Sequence, residues 1–165
     1  MSFDLADRLL DVIGIDPHEE SIQRAKNDPR ATPRTTFICD DVFLHPFELA
    51  SFDLVASNAM LHHVDARDGP RRMRQLVRPG GVIVVVGFTM PDGLYDRILM
   101  LRGAAVKRAH QFRRGYWEHN APITWPPPLT TGQMADLAEQ ELPGATFSRL
   151  MSNRFSLVWR APNLL

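Results

Sequence analysis

The sequence lacks several features that would set it apart from ordinary globular proteins. It has one cysteine, Cys39, so no internal disulfide can form, which fits a reducing compartment. Its 19 basic and 19 acidic residues cancel, so no overall field steers the chain to nucleic acid or to a membrane. The longest apolar run, residues 82–86, is far too short to span a bilayer, and the N-terminus has no secretion signal. We therefore expect a cytoplasmic protein.

The histidines also lack a metal-binding pattern. The 6 histidines and Cys39 are scattered, with no His-x-x-x-His or Cys-x-x-Cys spacing, so no metal site is expected. The remaining composition is ordinary, with 44% hydrophobic and 23% charged residues. A chain of 165 residues is sized for a single domain with a real core.

Strands and helices are predicted to alternate through the first half of the chain. Strands are predicted at residues 10–15, 35–39, 52–57 and 82–86, and helices at residues 17–26 and 69–77, with Pro79, Gly80 and Gly81 as the turn after the second helix. The strand at residues 82–86 is apolar on both faces, which is typical of a central parallel strand. This alternation predicts an α/β fold with a doubly wound, mostly parallel sheet.

The second half has a different pattern. Helices are predicted at residues 94–112 and 131–142, the first burying a stripe of Tyr95, Ile98, Leu99 and Val106. Residues 155–160 alternate like a strand, and residues 145–150 could form its antiparallel partner. The sequence thus predicts one domain over residues 1–165 with an antiparallel strand pair at its C-terminus.

Polar residues follow the predicted parallel strands, at the edge where α/β sheets bind ligands. They include Asp16, Asp41 with Val42, and Asn58. An acid after one strand can accept hydrogen bonds from ribose hydroxyls, and an acid after the next can accept from an adenine amine. Simpler interpretations remain open: Asp16 can form a capping box with Glu19, Asp41 can lie in a solvated turn, and Asn58 can merely close its strand.

At these residues the chain resembles the class I S-adenosylmethionine-dependent methyltransferases in their small bacterial form. The resembling stretches are residues 12–17, 37–42, 52–63 and 78–82, with residues 142–145 and 155–162 similar to the family's closing strand pair. The resemblance implies a Rossmann-like fold and S-adenosylmethionine as cofactor. It places Asp16 and the adjoining Pro17 at the ribose, Asp41 and Val42 at the adenine, and Asn58 at the methionine end.

One departure from the family pattern concerns the N-terminus. The family's glycine-rich loop and first strand precede the Asp16 strand, whereas here the first glycine is Gly14. The chain looks like a methyltransferase that starts late, from a truncation or a misassigned start. If so, the strands at residues 10–15 and 52–57 either pair directly or each keep an open edge. We then expect marginal stability, association and weak cofactor binding.

The leading hypothesis for function is in-line methyl transfer to a small-molecule acceptor. His62 and His63 are candidate catalytic residues for acceptors that must lose a proton. Tyr95, Trp117 and Trp125 belong to residues 89–131, a predicted insertion that either covers the substrate or packs against the sheet.

Three other functions compete with this hypothesis. The chain could be a non-catalytic remnant or partner domain that has lost cofactor binding. The second competing function is that of a nicotinamide-dependent enzyme, which would also need the glycine-rich loop. The third competing function is nucleic-acid binding through the basic residues 102–114. This charge pattern favours a solvated helix face, so we do not expect nucleic-acid contact.

Overall fold

The computed structural model describes residues 2, 11–60, 65–114 and 126–163, and these divide into two compact units. Unit 1 comprises residues 1–47 and unit 2 comprises residues 48–165. The single-domain organisation and the insertion at residues 89–131 stay predictions. Among the described helices, none is long and apolar enough to cross a membrane.

Unit 1 is a βαβ arrangement. Strand β1 (Val12–Asp16) is followed by helix α1 (Glu19–Lys26) and strand β2 (Thr35–Cys39), and the two strands pair in parallel from Val12↔Thr35 to Asp16↔Cys39. Helix α1 turns Ile22 inward, where 3% of its surface remains exposed. Among the described residues, β2 is the one strand that pairs with β1.

The start of α1 corrects the predicted capping box of Asp16 and Glu19, which is wrong. The helix begins at Glu19 with His18 at the N-cap position, and no side chain caps it. Asp16 Oδ1 instead accepts a hydrogen bond from the backbone N–H of His18 at 2.8 Å. The intervening Pro17 has no N–H to donate, so the Asp16 side chain closes a local turn before the helix.

Unit 2 contains a four-stranded sheet flanked by helices. Its elements are β3 (Phe52–Asn58), α2 (Asp68–Leu76), β4 (Val77–Phe88), α3 (Leu94–Arg114), α4 (Thr131–Glu141), β5 (Thr146–Leu150) and β6 (Arg154–Arg160). The strand order is β3-β4-β6-β5, with β3 parallel to β4 and both other ladders antiparallel. In the described chain β3 pairs with β4 alone. The α/β prediction and the C-terminal strand pair are confirmed, while the mostly parallel sheet is matched only in part.

Strand β4 is central as predicted, but only one of its two neighbours is parallel. One neighbour, β3, is parallel and the other, β6, is antiparallel. Its alternate residues Ile83 and Val85 are fully buried. They belong to a cluster with the inward faces of β6 and α4: Met73, Val77, Ile83, Val85, Met134, Leu137, Ala138, Leu142, Phe155, Leu157, Trp159 and Ala161.

The beginning of β4 lies earlier than predicted. Val77 is the first residue of the strand and not the last residue of the preceding helix, and the Pro-Gly-Gly segment is part of β4. The pairing with β3 shifts register between Phe52 and Leu54. Gly80 has a φ of 73°, which suits glycine. A Cβ at Gly81 would lie 2.9 Å from the Asp53 carbonyl oxygen. The glycines therefore allow an irregular but paired backbone.

Helix α3 buries a different face from the one predicted. Tyr95, Ile98 and Val106 are exposed over 60%, 44% and 54% of their surface. Asp96 and Gly103 are buried instead. Of the predicted apolar stripe, only Leu99 is partly buried, because a polar contact of Asp96 with β5, described below, orients the start of this helix.

Candidate functional site

Asp16 lies at the carboxyl end of β1, in line with Cys39 at the end of β2. The side chain is half-buried, and Oδ1 accepts from the His18 N–H. In the described part of the chain, Oδ2 has no hydrogen-bond partner. Asp16 thus has one oxygen engaged in the turn and one that can accept from a ligand.

Asp41 lies two residues beyond the end of β2, at the same edge of unit 1. Its Oδ1 accepts from the backbone N–H of Phe43 at 2.9 Å, so the side chain organises the turn that contains Val42. No described residue donates to Oδ2. Because the carboxyl ends of parallel strands meet at one edge, Asp16 and Asp41 present two acceptors on the same side of the sheet.

Two further titratable groups lie beside these acids. Asp40 contacts His45 Nδ1 at 2.8 Å, and this hydrogen bond lowers the pKa of the Asp40 carboxyl. The Cys39 thiol donates to the Pro17 carbonyl oxygen at 3.7 Å, and the Glu19 carboxylate raises the pKa of the thiol. Asp40 is therefore committed to His45, which leaves Asp16 and Asp41 as the candidate ligand acceptors of this edge.

Asn58 belongs to unit 2, where it ends β3 opposite Val86 of β4. It is exposed, and its Oδ1 accepts from Arg154 Nη2 at 3.3 Å. Sequence reasoning missed Arg154. The signal was available: the antiparallel β6 begins where the parallel β4 ends, with Arg154 opposite Phe88, so its first side chain lies at the ligand-binding edge.

A polar network holds the start of α3. Asp96 accepts from Arg149 Nη1 at 2.8 Å and from the Asp92 N–H at 3.3 Å, while Asp92 Oδ2 accepts from the Gly132 N–H at 2.6 Å. Burial acts to raise the pKa of Asp96, but the hydrogen bonds from Thr131 and Arg149 outweigh it and the pKa is lowered. Asp96 is thus an ionised anchor that joins α3 to β5.

Several predicted site residues are not tested by this geometry. The candidate catalytic residues His62 and His63 and the candidate cover residues Trp117 and Trp125 lie outside the described residues. Tyr95, the third cover candidate, is described and lies exposed on α3. The roles of all the predicted site residues, Asp16, Asp41 and Asn58 included, stay predictions.

Comparison of the sequence with known families gives a direct match. A family model described as a methyltransferase domain matches residues 1–85. An uncharacterized methyltransferase of Mycobacterium tuberculosis is 35% identical over 162 residues, which are 96% of this chain and 80% of the relative. A counterpart from Mycobacterium bovis has the same identity and coverage.

Solved structures share the fold. The N-methyltransferase NodS of Bradyrhizobium japonicum, in complex with S-adenosyl-L-homocysteine, is 14% identical, with a TM-score of 0.60 over 98% of this chain and 71% of that one. A SAM-dependent methyltransferase of Methanosarcina mazei is 17% identical, with a TM-score of 0.61 over 99% and 88%. The strand order and the acids at the strand ends are consistent with this fold. Together, the family model, the mycobacterial relatives and the shared fold establish that the chain belongs to the class I S-adenosylmethionine-dependent methyltransferases.

Proposed function

We propose that this methyltransferase acts on a small-molecule acceptor by in-line methyl transfer. S-adenosylmethionine supplies a methyl group already activated on a sulfonium. The observation that carries the proposal is the pair of carboxylates at one edge of unit 1, Asp16 and Asp41, each with an oxygen that no described residue occupies. Carboxylate oxygens fit the hydroxyl and amine donors of an adenosine.

Each candidate residue receives one part of the cofactor in this proposal. Asp16, with Pro17 fixing the turn behind it, accepts from the ribose hydroxyls. Asp41 accepts from the adenine amine, beside the backbone of Val42. Asn58, whose amide is oriented by Arg154, meets the methionine end. The support is their place at the strand ends together with the chain's resemblance to its family.

The acceptor is assigned to the aromatic segment of residues 89–131. Tyr95 supports this role because 60% of its surface is exposed, so its ring is available to a ligand. Trp117 and Trp125 complete the proposed cover. His62 or His63 would remove a proton from acceptors that carry one. Alignment and exclusion of water are the main tasks of such a site and can supply roughly 7–11 kcal/mol.

The test is the affinity of Asp16→Ala for S-adenosylhomocysteine, measured by isothermal titration calorimetry. We expect a loss of about 1–3 kcal/mol, because charge-assisted hydrogen bonds to the ribose disappear. Asp28→Ala is the matched control, since Asp28 is also an acid of unit 1 but pairs with Arg30 at 3.0 Å. Its affinity should equal that of the wild type.

Two outcomes would contradict the proposal at different levels. Unchanged affinity in a folded Asp16→Ala variant would remove the ribose assignment alone. If the wild-type chain binds no S-adenosylhomocysteine, the alternative of a non-catalytic methyltransferase-fold domain replaces the enzyme proposal for this chain.

A further inference from the structure

Arg154 has no described acidic partner, unlike several other arginines of unit 2. Arg71 pairs with Glu141, Arg78 with Asp53, and Arg149 with Asp96. The guanidinium of Arg154 contacts an amide oxygen, that of Asn58, and lies over the ring of Phe88 at 5.4 Å. No described carboxylate forms an ion pair with Arg154, so no acidic side chain in direct contact compensates its positive charge.

Arg154 also has a hydrogen-bond donor without a described partner. Its Nε is buried and has no partner among the described residues, and the same holds for Oδ1 of the neighbouring Asn153. Buried polar atoms of folded proteins are nearly always paired, so each exception calls for a ligand, a water or a function. Here an orphaned donor and an orphaned acceptor belong to consecutive residues.

The two residues that carry these atoms lie at a small cavity, which the ion pair of Asp96 and Arg149 also lines. Asn153 and Arg154 line a small cavity together with Thr89 and Thr131, which form a hydrogen bond with each other at 3.0 Å. Arg154 starts β6 opposite Phe88, the last residue of β4. The cavity therefore adjoins the carboxyl edge of β3 and β4, the side on which open α/β sheets bind their ligands.

We propose that Arg154 is a carboxylate-recognition residue of this methyltransferase. Nε–H and Nη2–H of one guanidinium form a fork that matches the two oxygens of a carboxylate, and Nη2 is at present held at a long 3.3 Å from Asn58. Asn58 positions the fork, and Asn153 Oδ1 accepts from a hydroxyl or amine of the same ligand. The inference rests on the proposed function and narrows it, because the carboxylate comes from the acceptor or from the methionine half of the cofactor.

The test is to follow the arginine Nε–Hε signals by NMR during a titration with acetate. We expect the Arg154 signal to shift and saturate, because its free Nε–H gains an acceptor. Arg149 is an internal control, since its guanidinium already pairs with Asp96. Acetamide, which has the shape of acetate without its charge, should leave Arg154 unmoved. Equal shifts for Arg154 and Arg149, or equal shifts with acetate and acetamide, would overturn the proposal.

A second titration separates the two sources of the carboxylate. S-adenosylhomocysteine carries the amino-acid carboxylate, and 5′-methylthioadenosine is a matching nucleoside without it. A shift of Arg154 with the first compound alone assigns the cofactor carboxylate. If Arg154 stays unmoved by both and still responds to acetate with S-adenosylhomocysteine bound, the acceptor supplies the group. Absence of any nucleoside binding would contradict the proposed function, while the acetate result would still decide the role of Arg154.

Substitution provides an independent measurement. Arg154→Gln should weaken binding of the responding carboxylate compound roughly tenfold to a hundredfold, and Arg154→Lys should recover part of the loss. Arg160→Gln is the matched control on the same strand, because Arg160 donates to the Gly80 carbonyl oxygen. Melting curves of all three variants separate binding from folding. Wild-type affinity in folded Arg154→Gln would refute the assignment.

Discussion

The two units of the chain differ in how much apolar side chain they bury. Unit 2 has a contiguous cluster that includes Ile83, Leu142 and Phe155, all fully buried. In the described part of unit 1, the buried apolar residues are Val12 and Ile22. A two-stranded sheet with so small a core is marginal by itself. The adenosine-binding candidates Asp16 and Asp41 therefore belong to the unit with the smaller described core. A bound ligand can contribute most to local stability in such a unit.

The units resemble each other in where they leave polar groups unused. Several arginines of unit 2 pair with acids, as Arg71 does with Glu141, whereas Arg154 pairs with no described acid, and the proposed carboxylate site explains this difference. In unit 1, Asp40 is committed to His45 while Asp16 and Asp41 each keep one available oxygen. In each unit the unused groups lie at the edge where its parallel strands end, which is where such sheets bind ligands.

The largest expected effect is that of Phe155→Ala on unit 2. Phe155 is fully buried and stacks on Phe147 with ring centroids 5.3 Å apart, so its removal leaves a cavity that the sheet cannot fill. We expect unfolding in urea, followed by circular dichroism, to show a loss of about 3–5 kcal/mol. Val158→Ala is the control, because Val158 lies on the same strand and is 45% exposed. Equal losses in the two variants would contradict a core centred on Phe155.

A smaller effect is expected from Ile22→Ala in unit 1. Ile22 is the most buried apolar residue described in that unit. Because Val12 is the one other buried apolar residue described there, we expect about 2 kcal/mol, the lower end for such a truncation. Hydrogen exchange measured by NMR should show faster exchange in β1 and β2 and unchanged exchange in β4 and β6. S-adenosylhomocysteine should slow exchange in β1 and β2 of the wild type. Exchange that accelerates equally in both units would show that they unfold as one.

Much of the fold follows from local sequence patterns, and the errors have tertiary causes. The strand at residues 35–39 and the C-terminal strand pair are as predicted, because apolar alternation is a local signal. The apolar stripe assigned to α3 is wrong because the buried pairing of Asp96 with Arg149, distant in sequence, decides which face turns inward. The early start of β4 was hidden because a Pro-Gly-Gly segment usually ends an element rather than continuing one.

The candidate site shows the same division. Asp16, Asp41 and Asn58 could be named as candidates because they lie at or just beyond the ends of apolar strands. Arg154 was missed because it begins its strand, and it lies at the ligand edge only through the antiparallel direction of β6. The sequence also left open whether the strands at residues 10–15 and 52–57 pair with each other, since strand pairing depends on the three-dimensional arrangement. In the described chain β1 pairs with β2 and β3 pairs with β4.

The smallest expected effect concerns the acid sensitivity of unit 2. Glu141 ends α4 and accepts from Arg71 at 3.0 Å, which with the charges of Arg67 and Arg74 holds the pKa of Glu141 below its ordinary 4.5, although burial opposes this shift. A carboxyl with a lowered pKa in the folded state stabilises the protein fully above its unfolded pKa. That contribution is lost as the pH falls through the lower, folded value.

Glu141→Gln should therefore be less stable than the wild type at pH 7, and the two urea midpoints should converge as the pH is lowered below about 4. The difference should be small compared with Phe155→Ala, because the side chains of Arg67 and Arg71 are each 54% exposed and solvent screens the pairing. Glu139→Gln, an exposed substitution in the same helix, should leave the pH profile unchanged. A gap between Glu141→Gln and the wild type that stays constant from pH 7 to pH 3 would mean that the contribution of Glu141 does not depend on its charge, which would contradict the role of the ion pair.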